Sequence, residues 1–342
     1  MSHLREDPLV LGPTSPARPA GCAHVFLYDA DGNDREARLE QIDTGRLQDQ
    51  QLLWIDVECD DAGLVDRIGR RLGLPEEAIA ALQHLDSTPS LQNYGDCFHL
   101  QAVAVTHEGG LKFNGTVLGI VAGANFVVSV HHRPVPFIAE LRARERGESE
   151  LGALGAESFT ASLLDWQLST YFDAVSDFEA AVERLEVEIL SEKGNHGLED
   201  LRNLRRGASR LRRMLAPHRS VFAGLARPDF RPRSSGEVNA HFLHLDTHYE
   251  RAMDVVQNTR DLVVGSFELF SSQTALRTNE AMRALTFVTV LIGTLAVVAG
   301  ILGMNFDVPF FKTAAKGFWL AIGGMGALVV VAVVVARRWR WI

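Results

Sequence analysis

The residues of this chain best suited to holding a metal ion are His241, His244 and His248, with Asp246, Glu250 and Asp254 set among them. Spacings of three and four place the three imidazoles on one face of a helix. Imidazole nitrogen favours zinc, nickel or cobalt, whereas carboxylate oxygen suits magnesium. The cluster reads as a regulatory or transport-related metal site, as a solvated helix face, or as a source of inter-subunit hydrogen bonds. A second set is chemically quieter. Counting back from Asn305 at helical spacing gives Gly300, Ala296, Gly293, Thr289, Thr286, Met282, Asn279, Ser272 and Glu268. Small side chains let helices approach closely, and hydroxyl and amide oxygens can meet a passing ion; the alternative is that the glycines and alanine merely pack helix on helix. Neither set is a catalytic constellation. No Gly-Lys-Ser or Gly-Lys-Thr phosphate loop follows a strand, and no nucleophile stands at a useful spacing from a base, so the chain reads as a non-enzyme without a cofactor.

The elements that must position these residues are helices. Leu285–Met304 and Gly317–Ala336 each carry about twenty residues without a charged side chain, enough to cross a ~30 Å hydrocarbon core. Only Asn305–Lys316 lies between them. From Glu237 to Gly303 there is no proline, which predicts one helix of roughly 100 Å at ~1.5 Å per residue. Such a helix joins soluble domain to membrane rigidly. Two spans cannot enclose a polar path, so a chain that moves anything polar must assemble with copies of itself.

The soluble part divides by pattern. Residues 1–21 hold Pro8, Pro13, Pro16 and Pro19 with no signal-like apolar run, and are expected to be a disordered leader. Residues 22–150 read as an α/β domain: Val25–Tyr28, Leu53–Val57, Phe98–Thr106, Thr116–Val121 and Phe126–Val130 have strand length and composition, and Ala62–Leu72 and Pro75–His84 have helical spacing. Gly123-Ala124-Asn125 reads as a tight hairpin. Residues 151–236 carry long helices, Ser158–Glu192 and a basic Leu198–Leu225, closed by a loop over Arg227–Gly236. The remainder is expected to be a stalk over 237–284, a pore-lining span 285–304, a periplasmic loop 305–316, a second span 317–336 and a basic cytoplasmic tail 337–342.

Net charge is −9, and no basic face with interleaved aromatics invites nucleic acid. The acid excess in the soluble part raises cation concentration near the membrane mouth. Three cysteines without a CxxC spacing exclude a disulfide framework and point to a reducing compartment. Arg337, Arg338 and Arg340 after the second span outweigh Lys312 and Lys316, offset by Asp307, in the connecting loop. Both termini are therefore placed in the cytoplasm.

Gly303-Met304-Asn305 at the outer end of the first of two close C-terminal spans, behind a long helix and an α/β domain, resembles the CorA family of two-span divalent-cation transporters. Val130-His131-His132-Arg133-Pro134, the arginine-rich Leu211–Pro217 and Gly317-Phe318-Trp319 fit the same pattern. The resemblance implies an α+β membrane protein of the bacterial inner membrane, assembled as a funnel-shaped homopentamer with the first span around the pore. Gly303, Met304 and Asn305 would form the selectivity ring at the mouth with Asp307 beside it. Met282 and Asn279 would fall at an apolar constriction and a polar ring. Magnesium sheds water reluctantly, so a ring that hydrogen-bonds the hydration shell suits it. The loop has Asp307 as its only carboxylate and two lysines after it. In this it is similar to the zinc-transporting ZntB branch and the CmaX proteins, which leaves the cargo open between Mg2+ (or Co2+ or Ni2+) and Zn2+. The rival from another class is a membrane-tethered signalling or scaffold protein whose hairpin only anchors.

Overall fold

The computed structural model describes residues 23–29, 34–39, 47, 50–107, 112–144, 155–191, 197–230, 236–304 and 314–338. It forms two compact units, one from the described residues of Met1–Val182 with Arg202–Val263, the other from those of Glu183–Leu201 with Val264–Ile342. The first is built on a seven-stranded sheet. Its strands are β1 (Ala23–Asp29), β2 (Arg35–Glu36), β3 (Gln51–Glu58), β4 (Ser90–Asn93), β5 (Phe98–His107), β6 (Phe113–Ala122) and β7 (Phe126–His131), ordered β2-β1-β3-β7-β6-β5-β4. β3 and β7 run parallel; the other pairs are antiparallel.

Sequence dictates these elements locally. Asp61 caps α1 (Ala62–Leu72) by accepting from the Leu64 amide at 3.0 Å, which satisfies one of the donors a helix start leaves open. Gly73 ends α1 at φ 68°, a left-handed turn that costs glycine nothing. Pro75 precedes α2 (Glu76–Gln83), whose first turn holds Glu76 and Glu77 against the helix dipole. Val65, Ile68, Ile79 and Leu82 of this pair cover Val25, Ile55, Val121, Val128 and Val130 on one sheet face. The backbone at Gly69 lies so close that a Cβ there would sit 2.5 Å from Ile79 Cγ1. The predicted hairpin is present, with the Gly123 amide bonded to the Phe126 carbonyl at 2.9 Å.

Long helices follow. α3 (Pro136–Arg144) leads to α4 (Ala156–Leu190), whose Phe159 packs edge-on against Trp54 of β3, ring centres 5.4 Å apart. The single helix expected over Leu198–Leu225 is instead broken. α5 (Gly197–Leu215) gives way to one 3-10 turn, Ala216–His218, before α6 (Arg219–Leu225), because Pro217 has no amide proton to extend the helix. β2, β4 and α3 were not foreseen. α7 (Gly236–Leu302) runs 67 residues without a break, and α8 (Ala314–Arg338) completes the described chain.

The break at Pro217 places His218 against β5. Its Nε2 accepts the Val103 amide at 2.8 Å and its Nδ1 lies 3.1 Å from the Leu215 carbonyl. The Val103 carbonyl takes Gln167 Nε2 at 2.6 Å and Tyr171 Oη at 3.0 Å, and Thr170 Oγ1 accepts the Val105 amide at 2.9 Å. β4 pairs with β5 only up to Gln101, so side chains of α4 and the 3-10 turn saturate the rest of the sheet edge. Burial holds the pKa of His218 down at about 4, as its acceptor role requires a neutral ring.

Candidate ion pathway and histidine cluster

α7 and α8 are both long and apolar enough to cross a membrane. The half-buried residues of the α7 span are Phe287, Leu291, Leu295, Val298 and Leu302. Val298 and Leu302 line an apolar cavity of about 190 Å3 with Leu320, Ala321, Gly324, Met325 and Leu328, which identifies this stripe as the side turned to α8. At ~100° per residue, Thr286, Thr289, Gly293, Ala296 and Gly300 fall on the opposite side of α7, and every one of them is exposed. A Cβ built on Gly293 or Gly300 would meet nothing within 4 Å. These glycines therefore do not serve to pack α7 on α8. Met282, Asn279, Ser272 and Glu268 continue as exposed positions toward the helix start, and Gly303 and Met304 leave the helix in an exposed turn.

The hydroxyls on this face have a defined polarity. Thr286 Oγ1 donates to the Met282 carbonyl and Thr289 Oγ1 to the Leu285 carbonyl, both at 2.8 Å. With the hydrogen committed to the helix, each oxygen presents lone pairs. That suits the outward-pointing hydrogens of a hydrated cation. Asn305 and Asp307, expected at the mouth, lie outside the described residues.

In the same unit the ends of α4 and α5 hold α7 ahead of the span. Ser266 Oγ donates to Glu186 Oε1 at 2.8 Å, and Arg277 Nη2 to the Ile189 carbonyl at 3.2 Å. A Cβ on Gly197 would come within 3.1 Å of the Phe270 ring, so glycine permits this close approach.

The histidines tell a different story from their spacing. His241 Nδ1 lies 3.1 Å from Ser158 Oγ. His248 Nδ1 is 2.5 Å from Asp165 Oδ1, and its ring stacks on Phe172 with centres 5.1 Å apart. His244 sits beside His248, ring centres 6.0 Å apart. Among the described residues no three His, Cys, Asp or Glu side chains form a group that could hold a metal ion. The expected His241/His244/His248 chelate is thus not formed within one chain, because α4 claims two of the three rings. A cavity of about 290 Å3 lies alongside, lined by Ser158, Ser162, Asp165, Trp166, His241 and His244.

Sequence reasoning missed a buried polar network at the ends of the parallel strands. Asp56 and His131 are both fully buried. Trp54 Nε1 donates to Ser129 Oγ at 3.0 Å, and Ser129 Oγ donates to Asp56 Oδ1 at 2.6 Å. His131 Nε2 lies 3.3 Å from the same Asp56 oxygen, and Arg142 of α3 reaches Asp56 Oδ2 at 3.3 Å and Glu58 Oε2 at 3.0 Å. Burial alone would lower the pKa of His131, but the Asp56 carboxylate, then the Arg133 carbonyl and Glu58, bring it above the ordinary histidine value. Arg142 thus ties α3 to the strand ends, and the motif residue His131 closes the network against Asp56 and the Arg133 carbonyl.

An α/β unit, an unbroken 67-residue helix and two apolar C-terminal helices with a small, hydroxyl-bearing face define a membrane protein of the ion-transporter class. The chain belongs to the family described as CorA-like Mg2+ transporter protein, whose sequence model matches residues 49–338. It is a CorA-family divalent cation transporter. It is 23% identical over 292 residues to the cobalt/magnesium transport protein CorA of Thermotoga maritima, covering 84% of this chain and 83% of that one. With the divalent cation transporter CmaX of Pseudomonas aeruginosa it shares 26% over 327 residues, 94% of this chain and 97% of the other. The solved CorA magnesium transporter of Methanocaldococcus jannaschii has the same fold, with a TM-score of 0.72 at 20% identity, covering 95% of this chain and all of that one.

Proposed function

We propose that this protein carries Mg2+, or Co2+ or Ni2+, across the bacterial inner membrane through a homopentameric pore lined by α7. The observation that carries this reading is the face Thr286, Thr289, Gly293, Ala296 and Gly300, which is exposed in the single chain and lies opposite the contact with α8. Small residues are enriched where transmembrane helices pack closely on one another, and threonine oxygens suit a water-lined face. Residues 237–284 act as the stalk, 285–304 as the pore span with Gly303-Met304-Asn305 as the selectivity ring, and 317–336 as the outer span. Asp307 raises cation concentration at the mouth. Both termini lie in the cytoplasm, as the basic Arg337 and Arg338 after the second span favour. The assembly acts as a conduit for its cargo ion.

A zinc-carrying reading is kept as the alternative on one observation: His244 and Asp165 line the same cavity, and imidazole with carboxylate attracts borderline metals. Flux into proteoliposomes, with magnesium, cobalt, nickel and zinc run side by side, tests both. Magnesium flux that falls to background in Asn305→Ala, with assembly intact, is the expected result. Flux of zinc alone would replace the first reading by the second, and no flux of any divalent ion would leave only an anchored scaffold.

A further inference from the structure

α5 carries a second, unexplained face. Leu201, Leu204, Ala208, Leu211 and Leu215 are buried, while Arg202, Arg206 and Arg213 on the opposite side of the helix, and Arg205 and Arg212 on its flanks, are exposed. Among the described residues none of these five arginines has a carboxylate partner. Like charges at spacings of three and four destabilise a helix, and the chain as a whole carries net charge −9. An anionic surface brought against such a stripe relieves this repulsion.

The same unit presents such a surface elsewhere. α3 and α4 enclose a cavity of about 340 Å3, walled by Phe137 and Trp166 and rimmed by Glu140, Asp173 and Asp177. Glu140 and Asp173 have no cationic partner among the described residues. An indole face beside carboxylates matches an arginine side chain in particular, since guanidinium stacks on the ring while its N–H fork binds carboxylate oxygens in pairs. No ion pair among the described residues joins the two faces within the chain. We propose that the arginine stripe of α5 docks into the acid-rimmed cavity over α3 and α4 of a second copy of this chain.

Two different, complementary patches on one chain make a head-to-tail contact, which closes into a ring when the rotation permits. The inference rests on the homo-oligomer proposed above and adds a cytosolic contact to it. An anionic lipid or a soluble polyanion could neutralise the arginines as well, but neither accounts for the matching cavity.

Zero-length crosslinking of the full-length protein in detergent tests the contact. Arg206→Lys keeps the charge and supplies an amine that a carbodiimide joins as an amide to a carboxylate it touches. The expected result is a ladder of covalent oligomers well above the wild-type background, with the amide mapped to Glu140, Asp173 or Asp177. It should be lost when these three are changed to Gln, Asn and Asn. As a second arm, Arg202→Glu/Arg206→Glu should dissociate at lower salt than wild type, and adding Glu140→Arg/Asp173→Arg should restore salt resistance, which a folding defect would not show. An oligomer intact by native mass measurement but uncrosslinked at these carboxylates overturns the docking and leaves the oligomer standing. A monomer overturns both.

Discussion

In the α/β unit Trp54, Ser129, Asp56, His131 and Arg142 meet one another away from water, and side chains saturate even the outer edge of β5. In the α7 span the hydroxyls of Thr286 and Thr289 turn back to their own helix, and a Cβ on Gly293 or Gly300 of the same face would meet no described residue within 4 Å. The first region is completed by one chain; on the function proposed above, the second is completed by copies of the chain and a bilayer. On that proposal the difference separates residues that matter for folding from residues that matter for transport. Substitutions in the first region should change stability and leave conduction to whatever protein remains, while substitutions on the α7 face should do the reverse.

The largest effect is expected from Gly293→Leu or Gly300→Leu. Each fills space that is open in the single chain, so flux in proteoliposomes should fall to background while hydrogen exchange of the sheet stays as in wild type. Acid should act on the other region. His99 and His218 are buried with pKa values lowered to about 4, so their contribution is whole above the unfolded value near 6.5 and is lost as pH falls from there to about 4. At ~1.4 kcal/mol per unit the loss is about 3 kcal/mol for each. Hydrogen exchange at the Val103 amide, corrected for its intrinsic pH dependence, should accelerate over that window, and His218→Gln should flatten the response.

His131 titrates in the opposite sense. Its raised pKa gives stabilisation that is full below about 6.5 and fades as pH rises through the folded value. Exchange in α3, corrected for its intrinsic pH dependence, should rise as pH passes through that folded value, and less so in His131→Gln. Gly69→Ala presses a methyl group against Ile79 and should cost about 1–3 kcal/mol in the α/β unit, read as a lower thermal midpoint with flux per assembled oligomer unchanged. The smallest effect is expected for Arg277→Ala, which removes one bond between α7 and the end of α4; oligomers should form normally, with flux changed by less than about tenfold.

Much of this division is legible in the sequence. The strands at Leu53–Val57 and Phe126–Val130, the helix Ala62–Leu72 and the long run into the membrane announce themselves by periodicity and by the placing of Gly and Pro. β4 escaped because Ser90–Asn93 is four mostly polar residues on a sheet edge, and α3 because its start lies between Pro134 and Pro136 and looks like loop. The break at Pro217 was hidden because leucines on α5 and apolar residues on α6 keep an apolar pattern across it. The Asp56 network and the partners of His241 and His248 were out of reach for one reason: Asp56 and Ser129 stand 73 residues apart and His248 and Asp165 83 apart, and only the fold brings them together. Spacing alone made three histidines look like a chelate; tertiary contacts with α4 hold two of them, His241 and His248.

The α7 face itself is open to the most direct measurement. In a cysteine-free background, single cysteines at Thr286, Thr289, Gly293, Ala296 and Gly300, and at Leu291, Leu295 and Val298, are treated with a charged, water-soluble thiol reagent during magnesium flux. A water-filled pore along the first set predicts block at those positions and none at the second, which faces α8. Block at Leu291, Leu295 and Val298 with the first set silent would contradict the account.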